Sequence, residues 1–519
     1  VFDDLNDAVE GYGGHPLALP PPPSRLLACA VRLANAQTNA PLCSPSRASF
    51  LTGLYPHQTR FFGNPRNDSP DQLDWREMPA LRHAPTWFEH FRDHGYAVHG
   101  GGKLFHNYSE DNSVWRQPDG SSHLGPRADW GPFPSSGARR ANGKLDYARH
   151  PAQPDIFHMS FFLPLEEVPR VPASAKAPGH EGWITMYGEP MRFNSSADRD
   201  PLPDEALADY ARDFLSRRHD RPFFLNLGFN RPHEPWVAPR EFFDRIPIES
   251  LQLPPIREDD LDDVARVFAR RLPNGRFPSG TGFEKYASLA AKGRLREWIR
   301  AYLACVAFAD AQLGRVLDAL EASPYQENTY IVVTSDHGYH LGEKLYAFKL
   351  SPWEEAARVP LGVAGPGLPA GAEVARPVSL IDLYPTFLEL AGLPAPAVPL
   401  GGHSLAPLLR DPAGPWSGPD VALTVVPYRN EANQTPAPLR GVVSAQHYTV
   451  RSATHRYILY GNGEEELYDH RSDPQEWTNL AADPAQADLK ASLRRQLEAL
   501  VGEPVARAKA RLAAAPGKN

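Results

Sequence analysis

Short apolar runs rich in β-branched and aromatic residues alternate with helix-period segments from the start of the chain to about residue 390. Tyr96-Ala97-Val98, Phe223-Phe224-Leu225-Asn226-Leu227 and the run 330–334 have the composition of buried strands. Between them, Thr86-Trp87-Phe88-Glu89 is a capping box that opens a helix running toward Gly95. Residues 204–217 have helical spacing, and Trp298, Tyr302, Cys305, Leu313, Val316 and Leu320 trace one face of a longer amphipathic helix. This alternation predicts an α/β fold: a large mixed, mainly parallel sheet flanked by helices. The stretches 126–200 and 247–294 have weak periodicity and many breakers, and are expected to be loop-rich insertions that wall a pocket.

A last helix of this region ends near Leu409, and proline and glycine then cluster over 411–420. Four further strands, 421–426, 448–451, 456–459 and 465–468, precede a helical stretch at 485–501. The expected division is therefore a large α/β domain at 1–412 and a smaller α+β domain with an antiparallel sheet at 413–519. No internal repeat is visible.

Length and composition narrow the class. At 519 residues the chain exceeds one ordinary core. Its 42% hydrophobic and 22% charged content is that of a globular protein. The 55 prolines, about twice the usual share, imply long stiff connections over a compact body. No run reaches the ~18 apolar residues of a membrane span. A formal charge of −8 without a basic stripe argues against nucleic acid as a partner. An anionic small substrate stays open, because local cations at ~4 Å outweigh a diffuse, screened surface charge. Three cysteines, Cys29, Cys43 and Cys305, with no C-x-x-C pair, exclude a disulfide scaffold and a zinc–thiolate site. Cys29 and Cys305 lie in helix-like apolar patterns and are expected to be buried core thiols. The chain opens at Val1, with Val1-Phe2 resembling the tail of a strand. The natural N-terminus is therefore expected to lie upstream, and localisation is weakly constrained, with the periplasm or exterior slightly favoured.

Four predicted strands each run into ionisable residues: Val1-Phe2 into Asp3-Asp4, the strand at 96–98 into Lys103 and His106, that at 223–227 into His233, and that at 331–334 into Asp336-His337. Ligands of open α/β sheets bind at the carboxyl ends of strands, so these groups are expected at one sheet edge. Asp3, Asp4, Asp336 and His337 make an oxygen-rich donor set with one imidazole. It suits a hard divalent cation, Ca²⁺ first, with Mg²⁺ or Mn²⁺ as alternatives, better than zinc.

Cys43-Ser44-Pro45-Ser46-Arg47, continued by Ala48-Ser49-Phe50-Leu51-Thr52-Gly53, places a lone cysteine at a helix start, an arginine one turn on, and a glycine as helix stop. This string resembles the signature of the type I sulfatases, of the alkaline phosphatase superfamily, in which the cysteine of C-x-P-x-R is oxidised to formylglycine. Phe2-Asp3-Asp4-Leu5, Gly102-Lys103-Leu104-Phe105-His106, Arg231-Pro232-His233-Glu234-Pro235 and Ser335-Asp336-His337-Gly338 are similar to motifs of the iduronate-2-sulfatase-like branch. So are Leu341-Gly342-Glu343 with the downstream Lys349, and the tail from Glu466-Leu467-Tyr468-Asp469 to Asn479-Leu480. The first strand is truncated at Val1, and the insertions match no motif of that branch.

The resemblance implies a residue-by-residue assignment. Asp3, Asp4, Asp336 and His337 would hold the metal against a formylglycine made from Cys43 by a formylglycine-generating enzyme. Its hydrated aldehyde would attack the sulfur of a sulfate monoester, and its second hydroxyl would later expel sulfate. Arg47 would fix the hydrate, while Lys103 and Lys349 would bind sulfuryl oxygens where charge develops. Lys344 is also nearby, and only the spacing from Asp336 selects Lys349. His233 would protonate the leaving alcohol, and His106 would take the proton that releases sulfate. His340 is expected to point away from the metal, and Trp236 to be a core residue.

The substrate implied is a sulfated carbohydrate ahead of an aryl or choline sulfate. The alternative on the same fold is a phosphonate monoester or phosphodiester hydrolase, although such relatives tend to carry Gln where this chain has Asp4. A non-catalytic sulfoglycan-binding protein with unmodified Cys43 is the third possibility.

Overall fold

Segments distant in sequence gather into two units, one formed by Val1–Leu26, Gly95–Gln252 and Arg294–Thr329, the other by Leu27–His94, Leu253–Gly293 and Tyr330–Asn519. The computed structural model describes residues 1–9, 12, 26, 29–64, 75–106, 123–156, 159–173, 180–429, 441–503 and 505. The elements that matter here are β1 (Val31–Gln37), α1 (Cys43–Thr52), β2 (Ala97–Gly102), β3 (Leu124–Arg127), α2 (Pro203–Ser216), β4 (Phe223–Gly228) and α3 (Leu295–Glu321). They are followed by β5 (Ile331–Thr334), β6 (Leu361–Ala364), β7 (Glu373–Ser379), β8 (Ala422–Val426), β9 (His447–Arg451), β10 (His455–Leu459), β11 (Glu465–Asp469) and α4 (Ala487–Val501).

In the first unit, β4, β2 and β3 form a parallel sheet in that order, with Phe223 opposite Ala97 and Gly228 opposite Gly102. The end of β2 is glycine for a steric reason. Gly102 has φ +72°, and a Cβ there would meet the Gly228 carbonyl oxygen at 2.0 Å. That close approach lets the Lys103 amide donate to the Gly228 carbonyl at 2.7 Å, which fixes Lys103 at the strand's carboxyl end. The expected strand at Val1-Phe2 is reduced to a single bridge at Phe2. The Val1 amine donates to the Leu227 carbonyl at 2.8 Å, the Phe229 amide donates to the Val1 carbonyl at 2.9 Å, and Phe2 stacks on Phe229. α2 starts with Pro203, Asp204 and Glu205, a proline and two acids suited to a helix N-terminus, and packs on α3. Within the described residues of 126–200, Phe133–Arg139, Leu145–Tyr147, Trp183–Ile184 and Pro190–Met191 form one small antiparallel sheet.

In the second unit the sheet order is β5-β6-β1-β7. β1 is parallel to β7, while β6 runs antiparallel to both β1 and β5, so this sheet is mixed. The predicted C-terminal strands appear as the antiparallel sheet β8-β9-β10-β11, and α4 covers it with Leu493, Leu497 and Val501. Arg456 on β10 is fully buried and bonds Glu476, Glu354, Gln37 and Thr449. The guanidinium beside Glu476 and the neighbouring His470 hold that carboxyl at about 2 against the opposing effect of burial.

One thiol expectation fails. Cys29 is exposed rather than buried, beside the bend at Ala30 that leads into β1. Cys305 is buried in α3, and burial pushes its thiol up to about 12. Among the described residues no helix is long and apolar enough to cross a membrane.

Candidate active site

Cys43 is the first residue of α1, after an extended Leu42. All ten residues of this helix are buried despite their polar composition. Ser46 Oγ of this helix and Thr38 Oγ1 before it both donate to the Asp336 carbonyl at 2.6 Å. The helix ends where expected, at Gly53 with φ +73° and its amide on Ser49 O. Arg47 Nε donates to Asp336 Oδ2 at 2.9 Å, a charge-assisted bond between two groups at most 1% exposed.

The turn after β5 supplies the rest of this half. Gly338 has no alternative there, because a Cβ would meet the Glu355 carbonyl at 2.1 Å. His337 Nδ1 faces the Gly338 carbonyl at 3.0 Å, which assigns the proton to Nδ1 in the neutral ring and turns Nε2 toward Cys43 Sγ at 3.3 Å. Burial alone would lower the His337 imidazole; the Asp336 carboxylate and Cys43 outweigh it and raise it to about 9. Lys349 Nζ donates to Cys43 Sγ at 3.1 Å. Lys344, the competing lysine, is engaged elsewhere, with its ammonium on Asp260 Oδ1 at 2.8 Å and on the Glu476 carbonyl. His340 likewise turns to Ser351 Oγ at 2.6 Å.

The first unit contributes its own cluster. Asp3 is ion-paired with Lys103, both fully buried. Asp4 adopts φ +64°, a left-handed conformation unusual for a non-glycine residue. Tyr302 on α3 holds that turn by donating to the Asp4 carbonyl at 2.8 Å while accepting from the Asn6 amide at 2.9 Å. His233 Nε2 lies 4.0 Å from Asp4 Oδ2. Its loop is pinned by Arg231, which donates to the carbonyls of Gly131, Trp130, His233 and Val237. Trp236 is a core residue at 1% exposure.

Two residues escaped the sequence reading. Trp130 stacks on His233 at 5.3 Å and tilts against His106 at 5.4 Å, with Lys103 Nζ 4.9 Å from its ring centre. It therefore touches all three candidate catalytic side chains of this unit. Tyr302 was recognised only as a core position of its helix.

The carboxylates present fit a hard cation. Asp3, Asp4 and Asp336, each at most 1% exposed, offer the hard carboxylate oxygens such a cation takes.

The chain belongs to the sulfatase family: the family model described as Sulfatase matches residues 1–393. It is accordingly a sulfuric ester hydrolase, with the hydrolase fold of the alkaline phosphatase superfamily. A second model, described as N-sulphoglucosamine sulphohydrolase, C-terminal, matches residues 342–503. The chain is 33% identical over 485 residues to a sulfatase of Formosa agariphila, covering 93% of this chain and 82% of that protein. Two solved structures share the fold. A phosphonate monoester hydrolase from Silicibacter pomeroyi aligns with a TM-score of 0.68 at 22% identity, covering 98% of this chain and 95% of that one. A protein solved in complex with its substrate D-glucosamine-2-N,6-O-disulfate aligns with a TM-score of 0.63 at 21% identity, covering 97% of each chain. The family implies a divalent metal and a formylglycine.

Proposed function

We propose that this sulfatase hydrolyses the sulfate monoester of a carbohydrate to the free alcohol and inorganic sulfate, as a member of the iduronate-2-sulfatase-like branch. The observation that carries the proposal is the surrounding of Cys43 Sγ, with Lys349 Nζ at 3.1 Å and His337 Nε2 at 3.3 Å, each brought from about 300 residues away. Such a setting favours negative charge at position 43, and the start of α1 adds its dipole in the same sense.

Asp3, Asp4, Asp336 and His337, with residue 43, would hold one Ca²⁺, and Mg²⁺ or Mn²⁺ are the alternatives. The ion supplies electrostatic polarisation of a sulfate oxygen and stabilisation of anionic charge. Formylglycine, installed at Cys43 by a formylglycine-generating enzyme, supplies the nucleophilic oxygen. Arg47 orients residue 43 through its own anchorage on Asp336. Lys103 and Lys349 hold sulfuryl oxygens as fixed cations. His233 keeps its Nδ1 proton on the Glu234 carbonyl at 2.6 Å and, as an imidazolium, delivers the second proton from Nε2 to the departing sugar oxygen. His106 accepts the proton released with sulfate. These residues all fall in a catalytic domain placed at 1–412, ahead of a smaller domain at 413–519.

The substrate class is supported by the glucosamine disulfate held by a relative of the same fold. The test is peptide mass spectrometry across position 43, combined with sulfate release from sulfated saccharides. Conversion of Cys43 to formylglycine with sulfate release supports the proposal. An unconverted thiol in active enzyme, or faster cleavage of phosphonate monoesters than of any sulfate ester, would refute it.

A further inference from the structure

Asp204 stands in the first turn of α2, where an acid ordinarily serves the free amides of its own helix. Its neighbour Glu205 does so, accepting from the Leu202 amide at 2.7 Å. Asp204 turns elsewhere. Its Oδ1 accepts from the Asn230 amide at 2.7 Å and from Asn230 Nδ2 at 3.1 Å, and its Oδ2 accepts from the Arg231 amide at 2.9 Å. The side chain is 1% exposed, and both oxygens act as acceptors, so a buried carboxylate is met by three donors of one distant loop.

That loop carries His233. The His233 amide donates to the Asn230 carbonyl at 2.9 Å, which closes a turn on the residue that Asp204 holds. The Arg231 guanidinium then joins two loops. In its own it donates to the Val237 carbonyl at 3.1 Å and the His233 carbonyl at 3.2 Å; in the other, to the Gly131 carbonyl at 2.7 Å and the Trp130 carbonyl at 3.2 Å. Asp129 braces this second loop, its Oδ1 accepting from the Gly131 amide at 2.7 Å and the Met186 amide at 3.0 Å. The imidazole of His233 and the indole stacked on it are thus fixed through one side chain, whose backbone Asp204 anchors.

We infer that Asp204 is a positioning residue for proton donation: acting through the 230–233 turn and Arg231, it holds His233 Nε2 where the sugar oxygen departs. The inference rests on the assignment of His233 as proton donor in the proposed hydrolysis. In that step the ester S–O bond breaks with its electron pair passing to the sugar oxygen, which takes the Nε2 proton and leaves a neutral imidazole. Such a transfer is exacting, because a displacement of about 1 Å can cost about 10²-fold in rate. A carboxylate that merely fastened α2 to the loop after β4 would affect stability without singling out the proton transfer.

The test is a double-mutant cycle on the mature enzyme, with kcat and KM measured on the sulfated saccharide that wild type cleaves fastest and on nitrophenyl sulfate. Nitrophenolate leaves without a proton, so a residue that acts through the proton donor matters little for it. Asp204→Asn keeps the shape but sets an amide N–H₂ against one of the loop's donors. Its kcat on the saccharide is expected to fall about 10²-fold with KM within about twofold of wild type, and the loss on nitrophenyl sulfate to be at least about tenfold smaller. Added to His233→Ala, it is expected to cost less than about twofold more, since the group it positions is already gone. Arg231→Lys, which keeps the charge and loses the planar fork, is read the same way and decides the matter if Asp204→Asn does not fold. Losses that multiply in the double variant, or equal losses on the two esters, would overturn the positioning role while leaving His233 as the acid. Full kcat on the saccharide in His233→Ala would instead overturn the proton-donor assignment, and the inference with it.

Discussion

Lys349 Nζ lies 3.1 Å from Cys43 Sγ, although 306 residues separate them in the chain. Lys344, five residues earlier, is committed to Asp260. The two lysines should therefore fail differently. Lys349→Ala should lower kcat by about 10²- to 10³-fold, the usual cost of removing one group that stabilises developing charge, with little change in Tm. Lys344→Ala should destabilise the fold by about 3–5 kcal/mol, because it strands a buried carboxylate. Steady-state kinetics and thermal melts on both variants check this, and exchanged phenotypes would contradict it.

Tyr302 clamps the left-handed Asp4 through its hydroxyl. Tyr302→Phe keeps the ring that packs edge-on to Trp236 but loses the donor. Metal affinity should fall about tenfold, as is typical when a group supporting a ligand is removed. Metal content after graded chelation measures this directly, and retention equal to wild type would show that the turn holds itself.

Trp130 joins Lys103, His106 and His233 by ring contacts alone. Trp130→Leu should reduce kcat by about tenfold or more, given the worth of a desolvated cation–π contact. Trp130→Phe, which keeps an aromatic face, should recover most of the loss. Equal defects in the two variants would show that the ring is only a filler of space.

Asp310 is buried in α3, and neither carboxylate oxygen has a hydrogen-bond partner. Burial raises its carboxyl to about 9, only partly opposed by Arg245. The unfolded carboxyl titrates near 3.8, so the folded state binds the extra proton between these values. Stability from this group is thus complete below about pH 4, lost progressively as pH rises to about 9, and constant above that. Asp310→Asn removes the ionisation. Urea titrations at pH 5 and pH 8 should show a smaller loss of stability with rising pH in Asp310→Asn, by on the order of a few kcal/mol.

Elements with a clear local signal were legible in the sequence: α3 through the apolar face from Trp298 to Leu320, the helix opened by the capping box at Thr86, and the four C-terminal strands, each strand within about two residues of its observed bounds. The residues proposed for the site stand out in the sequence because ionisable groups follow strand ends, as Lys103 does after β2 and Asp336 after β5. What escaped has physical reasons. Trp130 sits on a loop and gains its partners only from residues 103, 106 and 233, so no local pattern marks it. The hydroxyl of Tyr302 is invisible to a hydrophobic periodicity that counts its ring. The helix after Cys43 is buried on every side, so its polar residues gave no amphipathic signal, and the Cys43-to-Arg47 string with its stop at Gly53 marked it instead. Cys29 was misjudged because a short apolar pattern does not guarantee a covering layer.

The central claim is that one divalent ion is held jointly by Asp3, Asp4, Asp336 and His337 beside residue 43. Anomalous diffraction from crystals of the converted enzyme exchanged into Mn²⁺ tests this most directly. One peak per chain, within about 2.5 Å of carboxylate oxygens from Asp3 and Asp336 alike, is the expected result. A peak touching only one of the two carboxylates, or none at all in active enzyme, would contradict it.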